Sequence, residues 1–115
     1  MNTIKAKVQR IEPTETSKVV FVNFKGSNGE LKLELPEKIN YFSTDDEIEI
    51  RFVENKEPET DDKLFLKAYI FTVEEQDDKK VIYMSIGGLS FKLILNKDVE
   101  LPILKPRKEV YIGFK

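Results

Sequence analysis

The chain contains no cysteine and no histidine. Without cysteine there is no disulfide and no thiol nucleophile, which fits a reducing interior. The joint absence excludes ordinary zinc sites, Cys-His pairs and the Ser-His-Asp triad. Serine offers no catalytic frame either, since no G-x-S-x-G occurs and Ser90-Phe91-Lys92 lacks the S-x-x-K spacing. No apolar run approaches the roughly 20 residues of a membrane span, and the N-terminus has no signal-peptide profile. These absences lead us to expect a soluble, cytoplasmic chain with no metal, no cofactor and no catalytic residue of its own.

An excess of charge of either sign is also missing. Nineteen Lys and Arg face 21 Asp and Glu, for a formal charge of -2 and a pI near 5.3. That is neither a basic nucleic-acid footprint nor a strongly acidic mimic. At 115 residues, 40% hydrophobic and 35% charged, residues 1–115 read as one folded domain with a single modest core.

The most informative stretch is Val81 to Asn96, VIYMSIGGLSFKLILN. Ile82, Met84 and Ile86 share one face of a strand, and Leu89, Phe91, Leu93 and Leu95 share one face of another. The parity of the apolar set changes across Gly87-Gly88, so a straight strand would misplace half of it. A two-residue hairpin with glycines at positive φ repairs this. A β-bulge that absorbs one residue is the alternative. We favour the hairpin. The glycine pair has no third glycine, following lysine or helix to make it a nucleotide site.

The rest of the chain alternates in the same way. Ile4, Ala6 and Val8 mark a first strand, expected to end near Ile11 and to be broken at Glu12-Pro13-Thr14. Residues 18–25 and 30–35 form a hairpin around Gly26-Ser27-Asn28-Gly29. Residues 36–42 are ambiguous between a helical turn and a packed loop. Ile48, Ile50 and Phe52 define another strand. Glu54 to Asp62 is an acidic, mobile surface loop with no apolar side chain. Residues 74–80 read as a charged turn, 97–108 as irregular, and 109–114 as a closing strand. About eight short strands indicate an all-β antiparallel barrel or sandwich.

Lys63 to Val73 is apolar on both faces. Leu64, Leu66, Ala68 and Ile70 form one set, and Phe65, Tyr69, Phe71 and Val73 the other. A chain this small cannot cover aromatics on both sides of a strand, and exposed apolar patches mark binding surfaces. A permanent protein partner is the expectation. Tyr69, Phe71 and Phe91, with Lys67 and Lys92, would alternatively stack single-stranded nucleic acid. Core packing of these aromatics is the simpler reading. Lys105, Arg107 and Lys108 would join Lys5, Lys7 and Arg10 in one basic patch if the terminal strands pair. Strand edges kept soluble by lysine are the competing explanation. The Asp-Asp pairs at 45–46, 61–62 and 77–78 recur every sixteen residues, and solvated turns explain them better than a metal site.

Val81 to Leu93 resembles the tyrosine/serine-glycine-glycine-leucine signature of a small RNA polymerase subunit, the eighth subunit in eukaryotes and the G subunit in archaea. Arg10-Ile11-Glu12 resembles that family's early motif, and Asp61 to Glu75 and Glu109 to Lys115 resemble its later strands. Ser90 departs from the pattern, which has a second leucine there. The compact form resembles the archaeal type. The resemblance implies a closed or nearly closed eight-stranded barrel of the oligonucleotide-binding type. It also implies a non-catalytic assembly subunit docked on the largest polymerase subunit. Gly87, Gly88 and Leu89, with Phe65, Tyr69 and Phe71, are then the expected contacts. A free-standing single-strand-binding module, using Lys67, Lys92, Lys105, Arg107 and Lys108, is the other hypothesis.

Overall fold

The computed structural model describes residues 2–59 and 61–115. Eight strands follow one another: β1 (Thr3–Pro13), β2 (Val19–Gly26), β3 (Gly29–Pro36), β4 (Glu47–Val53), β5 (Leu64–Gln76), β6 (Lys79–Ile86), β7 (Leu89–Asn96) and β8 (Glu109–Phe114). Among the described residues the only helical element is a 3-10 turn at Glu37–Ile39. The strands close into a barrel in the order β1-β2-β3-β7-β6-β5-β8-β4. Every neighbouring pair is antiparallel. Alternation left barrel and sandwich open, and the closed all-β barrel that the resemblance implied is the one observed. Apolar residues at period two fill its interior, with Val8, Val22, Leu33, Phe52, Ile70, Leu93 and Ile112 fully buried.

The glycine-centred segment is a hairpin. Ile86 pairs with Leu89, and Gly87 and Gly88 have φ of 56° and 88°, both in the left-handed region that a primed turn demands. Bulges occur elsewhere. Gln9 is the extra residue between Val8 and Arg10, and Phe71 the extra residue between Ile70 and Thr72. Each one shifts the parity of the residues after it. Ile11 and Val73 thereby join the inner face and pack on the core. Val73 therefore does not belong with Phe65, Tyr69 and Phe71. The same bulge carries β1 through Pro13, beyond its expected end. Residues 74–76 and 79–80, expected in a turn, lie in strands, which leaves only Asp77-Asp78 between β5 and β6.

The barrel has an internal two-fold organisation. Strands β1 to β4 and β5 to β8 repeat one topology, β4-β1-β2-β3 beside β8-β5-β6-β7. Hydrogen bonds repeat as well. Val8 N–H donates to Asp46 O and Asp45 N–H to Val8 O; Ile70 N–H donates to Lys108 O and Arg107 N–H to Ile70 O. Each equivalent pair of these residues is 62 positions apart. Asp45 and Arg107, at φ of 76° and 63°, share the left-handed conformation. At that offset Lys5-Ala6 matches Lys67-Ala68, and Glu47, Ile50 and Phe52 match Glu109, Ile112 and Phe114. The sixteen-residue aspartate rhythm has no part in this repeat.

A two-fold that relates antiparallel neighbours exchanges the barrel's ends, so the two long connections cover opposite ends. Residues 37–46 insert Phe42, edge-on to Phe24 at 5.1 Å between ring centres. Residues 97–108 insert Val99, Leu101 and Leu104. The ambiguous stretch 36–42 thus combines a short helical turn with a packed loop.

Because Gly88 sits at φ of 88°, Gly88→Val should cost about 1–2 kcal/mol, the penalty of a branched residue in left-handed backbone. Thermal or urea unfolding will measure it, and an unchanged midpoint would refute the turn geometry.

Candidate functional site

Phe65, Lys67, Tyr69, Phe71, Lys92 and the Gly87-Gly88 turn lie on the outer face of β5, β6 and β7. Ala68 and Ile70 point inward, so Phe65, Lys67, Tyr69 and Phe71 line the outside of β5. Tyr69 is 41% and Phe71 54% exposed, and their rings meet edge-on at 5.6 Å. Phe65 is half-buried and lies flat on Tyr111, 5.7 Å away with 8° between planes. Across the sheet one outward row runs Glu109, Tyr69, Ser85, Ser90. The next runs Thr72, Tyr83, Lys92, Lys32. A ridge of two aromatics therefore stands beside a shallow trough floored by two serines, with Gly87-Gly88 at its rim.

Charge around the ridge is uneven. Lys67 Nζ contacts Glu109 Oε2 at 2.9 Å, and that carboxylate holds the ammonium above its usual range. Lys92 Nζ lies 5.6 Å from the Tyr83 ring centre. Lys105, Arg107 and Lys108 are exposed. Arg107 N–H donates to Ile70 O and Ile70 N–H to Lys108 O, which holds those two beside the bulge, while Lys105 and Lys108 line a cleft with Val53 and Glu54. Phe91 does not take part. It is 1% exposed, inside the barrel, so it cannot stack a base. Nor do the terminal strands pair, because β4 lies between β1 and β8. The expected union of Lys105, Arg107 and Lys108 with Lys5, Lys7 and Arg10 is therefore not made. Lys5 and Lys7 instead line a separate cleft of about 460 Å³ with Lys25, Lys115, Glu47 and Glu49.

These residues lie in a chain whose full length, residues 1–115, matches the family described as the G subunit of DNA-directed RNA polymerase. The chain belongs to this RNA polymerase family. The resemblance read from Val81 to Leu93 is thus borne out. A comparison with curated proteins returned no match. Among solved structures, a cytoplasmic molybdate-binding protein, ModG, with molybdate bound, shows 12% identity and a TM-score of 0.42 over 99% of this chain and 89% of that one. A likeness that low carries no argument about fold or ligand.

Two motifs quoted for the polymerase family gain a physical meaning here. The bulge at Gln9 turns both Arg10 and Glu12 outward. Arg10 Nε donates to Glu12 Oε1 at 2.8 Å, Asn23 Nδ2 donates to the same oxygen at 2.9 Å, and the Arg10 bond leads in lowering the Glu12 pKa. In the glycine segment, Ser90 N–H donates to the Glu34 carboxylate at 2.9 Å in place of a ladder bond. A Cβ added at Gly87 or Gly88 would meet nothing within 4 Å, so the turn rim is open space.

The acidic loop departs from expectation. Asp62 is not solvated: its side chain is 2% exposed and ion-paired with Arg51, itself 13% exposed. Asp62 Oδ2 also accepts the Glu59 N–H at 2.8 Å. Lys115 Nζ reaches Glu59 at 2.7 Å and Asp61 at 3.4 Å. The end of the loop is pinned rather than mobile; Thr60 within it lies outside the described residues. Asp45, Asp61, Asp77 and Asp78 are exposed as expected, while Asp46 is half-buried and its Oδ2 accepts the Ser43 N–H at 2.9 Å. Among the described residues no group of three or more acidic side chains could hold a metal ion. Sequence reasoning missed the Arg51–Asp62 pair because an arginine in an alternating strand reads as solvated. Gly113 was the available signal. A Cβ there would lie 2.7 Å from Asp62 Oδ1 and 2.8 Å from Arg51 Nη2.

Asp62→Ala should cost about 3 kcal/mol, since it leaves a mostly buried guanidinium with only the half-exposed Glu59, 3.2 Å from Arg51 Nε. Gly113→Ala should destabilise too, and the double variant should lose less than the sum, because both changes disrupt one pair. Urea unfolding of the three variants measures this; strict additivity would mean that Gly113 accommodates something else.

Tyr41 yields a pH prediction. Its hydroxyl is buried without a partner, and burial, then Asp46 and Asp62, push its pKa up to about 12. A phenol raised from its ordinary value near 10 favours folding in its neutral form. Its contribution is complete below about 10 and lost as pH rises towards 12. Tyr41→Phe should therefore show a shallower fall in urea midpoint across that window than the unmodified chain. Identical slopes would refute the assignment.

Proposed function

We propose that the protein is a non-catalytic assembly subunit of a multisubunit DNA-directed RNA polymerase, docking on the largest subunit through the outer face of β5 to β8. Membership of the polymerase G-subunit family over residues 1–115 supports the complex. The observation that carries the docking face is the exposed Tyr69–Phe71 pair, the largest aromatic surface left uncovered on the barrel. Gly87, Gly88 and Phe65 border the same face and extend the contact, whereas Leu89, next to the turn, has the inward parity of Phe91 and Leu93 and is half-buried. The role needs no cofactor and no membrane, and it puts the chain in the cytoplasm with the transcription machinery.

A second reading rests on Lys92, Lys105, Arg107 and Lys108 near Tyr69 and Phe71, a cation and aromatic mixture suited to single-stranded nucleic acid. It is the weaker one. Burial of Phe91 removes one of its three stacking rings, and the net charge of -2 opposes phosphate binding.

Affinity purification of the tagged protein from its own cells at high salt, with mass spectrometry, tests the first reading. Large polymerase subunits at fixed stoichiometry are expected. Recovery of nucleic acid alone, or of nothing, would reject it. The second reading predicts micromolar oligonucleotide binding by the isolated protein that collapses with salt, measured by fluorescence anisotropy.

A further inference from the structure

We infer that the trough beside the Tyr69–Phe71 ridge receives an extended, acidic segment of another polymerase subunit, approached backbone-first over Ser85, Ser90 and the Gly87-Gly88 turn. This rests on the assembly reading above and specifies its contact. Three independent features point to such an occupant.

The first is shape. From Tyr69 across β6 to β7 the outward positions are Ser85 and Ser90, and the turn beyond them carries two glycines. No side chain larger than a hydroxymethyl group stands between the ridge and the rim. Neighbouring strands lie about 4.8 Å apart, so the floor is wide enough for one extended chain. Nothing within 4 Å would obstruct a Cβ at either glycine. Their left-handed φ accounts for glycine or asparagine at the turn, and the open space around both leaves room for a partner.

The second is charge. Two acids bordering the trough are already engaged, Glu109 with Lys67 and Glu34 with the Ser90 amide, and Glu74 further along β5 accepts only from Gln76. Among the described residues, Lys92, Lys105, Arg107 and Lys108 make no ion pair. Unpaired cations therefore outnumber the unpaired carboxylates here, which are Glu74 on β5 and Glu54 beside Lys108, although the whole chain is slightly acidic. An acidic segment is the complement.

The third is the comparison that the two-fold repeat allows. The positions equivalent to Tyr69 and Phe71 are Lys7 and Gln9, and those equivalent to Arg107 and Lys108 are Asp45 and Asp46. The backbone there is the same: a bulged strand bonded to a left-handed connection. Only the β5 copy carries exposed aromatics with cations. Barrel architecture does not require either, so both belong to the surface's use.

Reconstitution with a polymerase lacking this subunit tests the inference, read as the affinity of labelled protein for the complex. The double variant Tyr69→Ala, Phe71→Ala should bind about tenfold or more weakly, the loss typical of aromatic anchors. The equivalent double variant Lys7→Ala, Gln9→Ala should bind like the unmodified protein. Gly87→Asn keeps a residue tolerant of left-handed φ. It should leave the unfolding midpoint nearly unchanged while weakening binding. Lys105→Glu with Lys108→Glu should weaken binding and flatten its salt dependence. Equal affinity of the ridge variant and the unmodified protein would overturn the docking surface while leaving the assembly reading intact. Failure of the unmodified protein to bind would overturn both. Loss of its binding after nuclease treatment would overturn the acidic-segment inference in favour of nucleic acid.

Discussion

Closure of this barrel depends on β1 and β5 each changing neighbours midway along their length. Residues Thr3 to Lys7 of β1 pair with β4, and Lys7 to Pro13 pair with β2. Leu64 to Tyr69 of β5 pair with β8, and Tyr69 to Gln76 pair with β6. A straight strand that did this would leave backbone groups unpaired where the first neighbour departs. The chain satisfies them with a bulge and a left-handed residue: Val8 bonds to Asp45 and Asp46, and Ile70 to Arg107 and Lys108. Once these corners are fixed, the tilt needed to close eight strands follows.

The corner also determines what the surface displays. A bulge frees one residue from the inward and outward alternation, and its side chain projects from the bend. At the first corner that residue is Gln9. At the second it is Phe71, beside Tyr69 and two cations. One architectural device thus gives a polar corner in one half and an aromatic one in the other. Fold alone does not distinguish them.

Alternation made the barrel legible, and the parity change at Gly87-Gly88 made the hairpin legible, because both follow from the period of a strand. The bulges left no such mark. Phe71 follows Tyr69 at the same spacing as Tyr69 follows Lys67, so nothing local reveals that Val73 has changed faces. The burial of Asp62 was hidden for a different reason: its partner Arg51 is eleven residues away across an acidic loop. The 62-residue repeat was legible in principle, through Lys5-Ala6 and Lys67-Ala68 and the two Glu-x-x-Ile-x-Phe strands. The sixteen-residue spacing of the aspartate pairs is unrelated to it. Phe65, Tyr69 and Phe71 lie on one face as alternation placed them, and Phe91, at the parity of Leu93 and Leu95, is in the interior where core packing put it.

A duplicated barrel meets itself at two seams, where equivalent residues become direct neighbours. At β3·β7, beyond the shorter connection between β5 and β6, these are Lys32 and Lys92. Like charges directly opposite repel, and each ammonium is drawn onto an aromatic ring on its own side, Lys32 over Phe21 at 4.3 Å and Lys92 over Tyr83 at 5.6 Å. At β4·β8 the equivalent neighbours are Arg51 and Gly113. Two arginines there would repel, and two glycines would leave Asp62 without a partner. One arginine beside one glycine allows Asp62 to lie over Gly113 and pair with Arg51. The seam is therefore a place where the two halves cannot remain alike. The residue that exploits this, Asp62, belongs to the segment joining them. The two seams thus close in different ways, one with like residues held apart on aromatic rings and one with unlike residues joined through Asp62, and the aromatic corner at Phe71 lies in the half that carries the glycine.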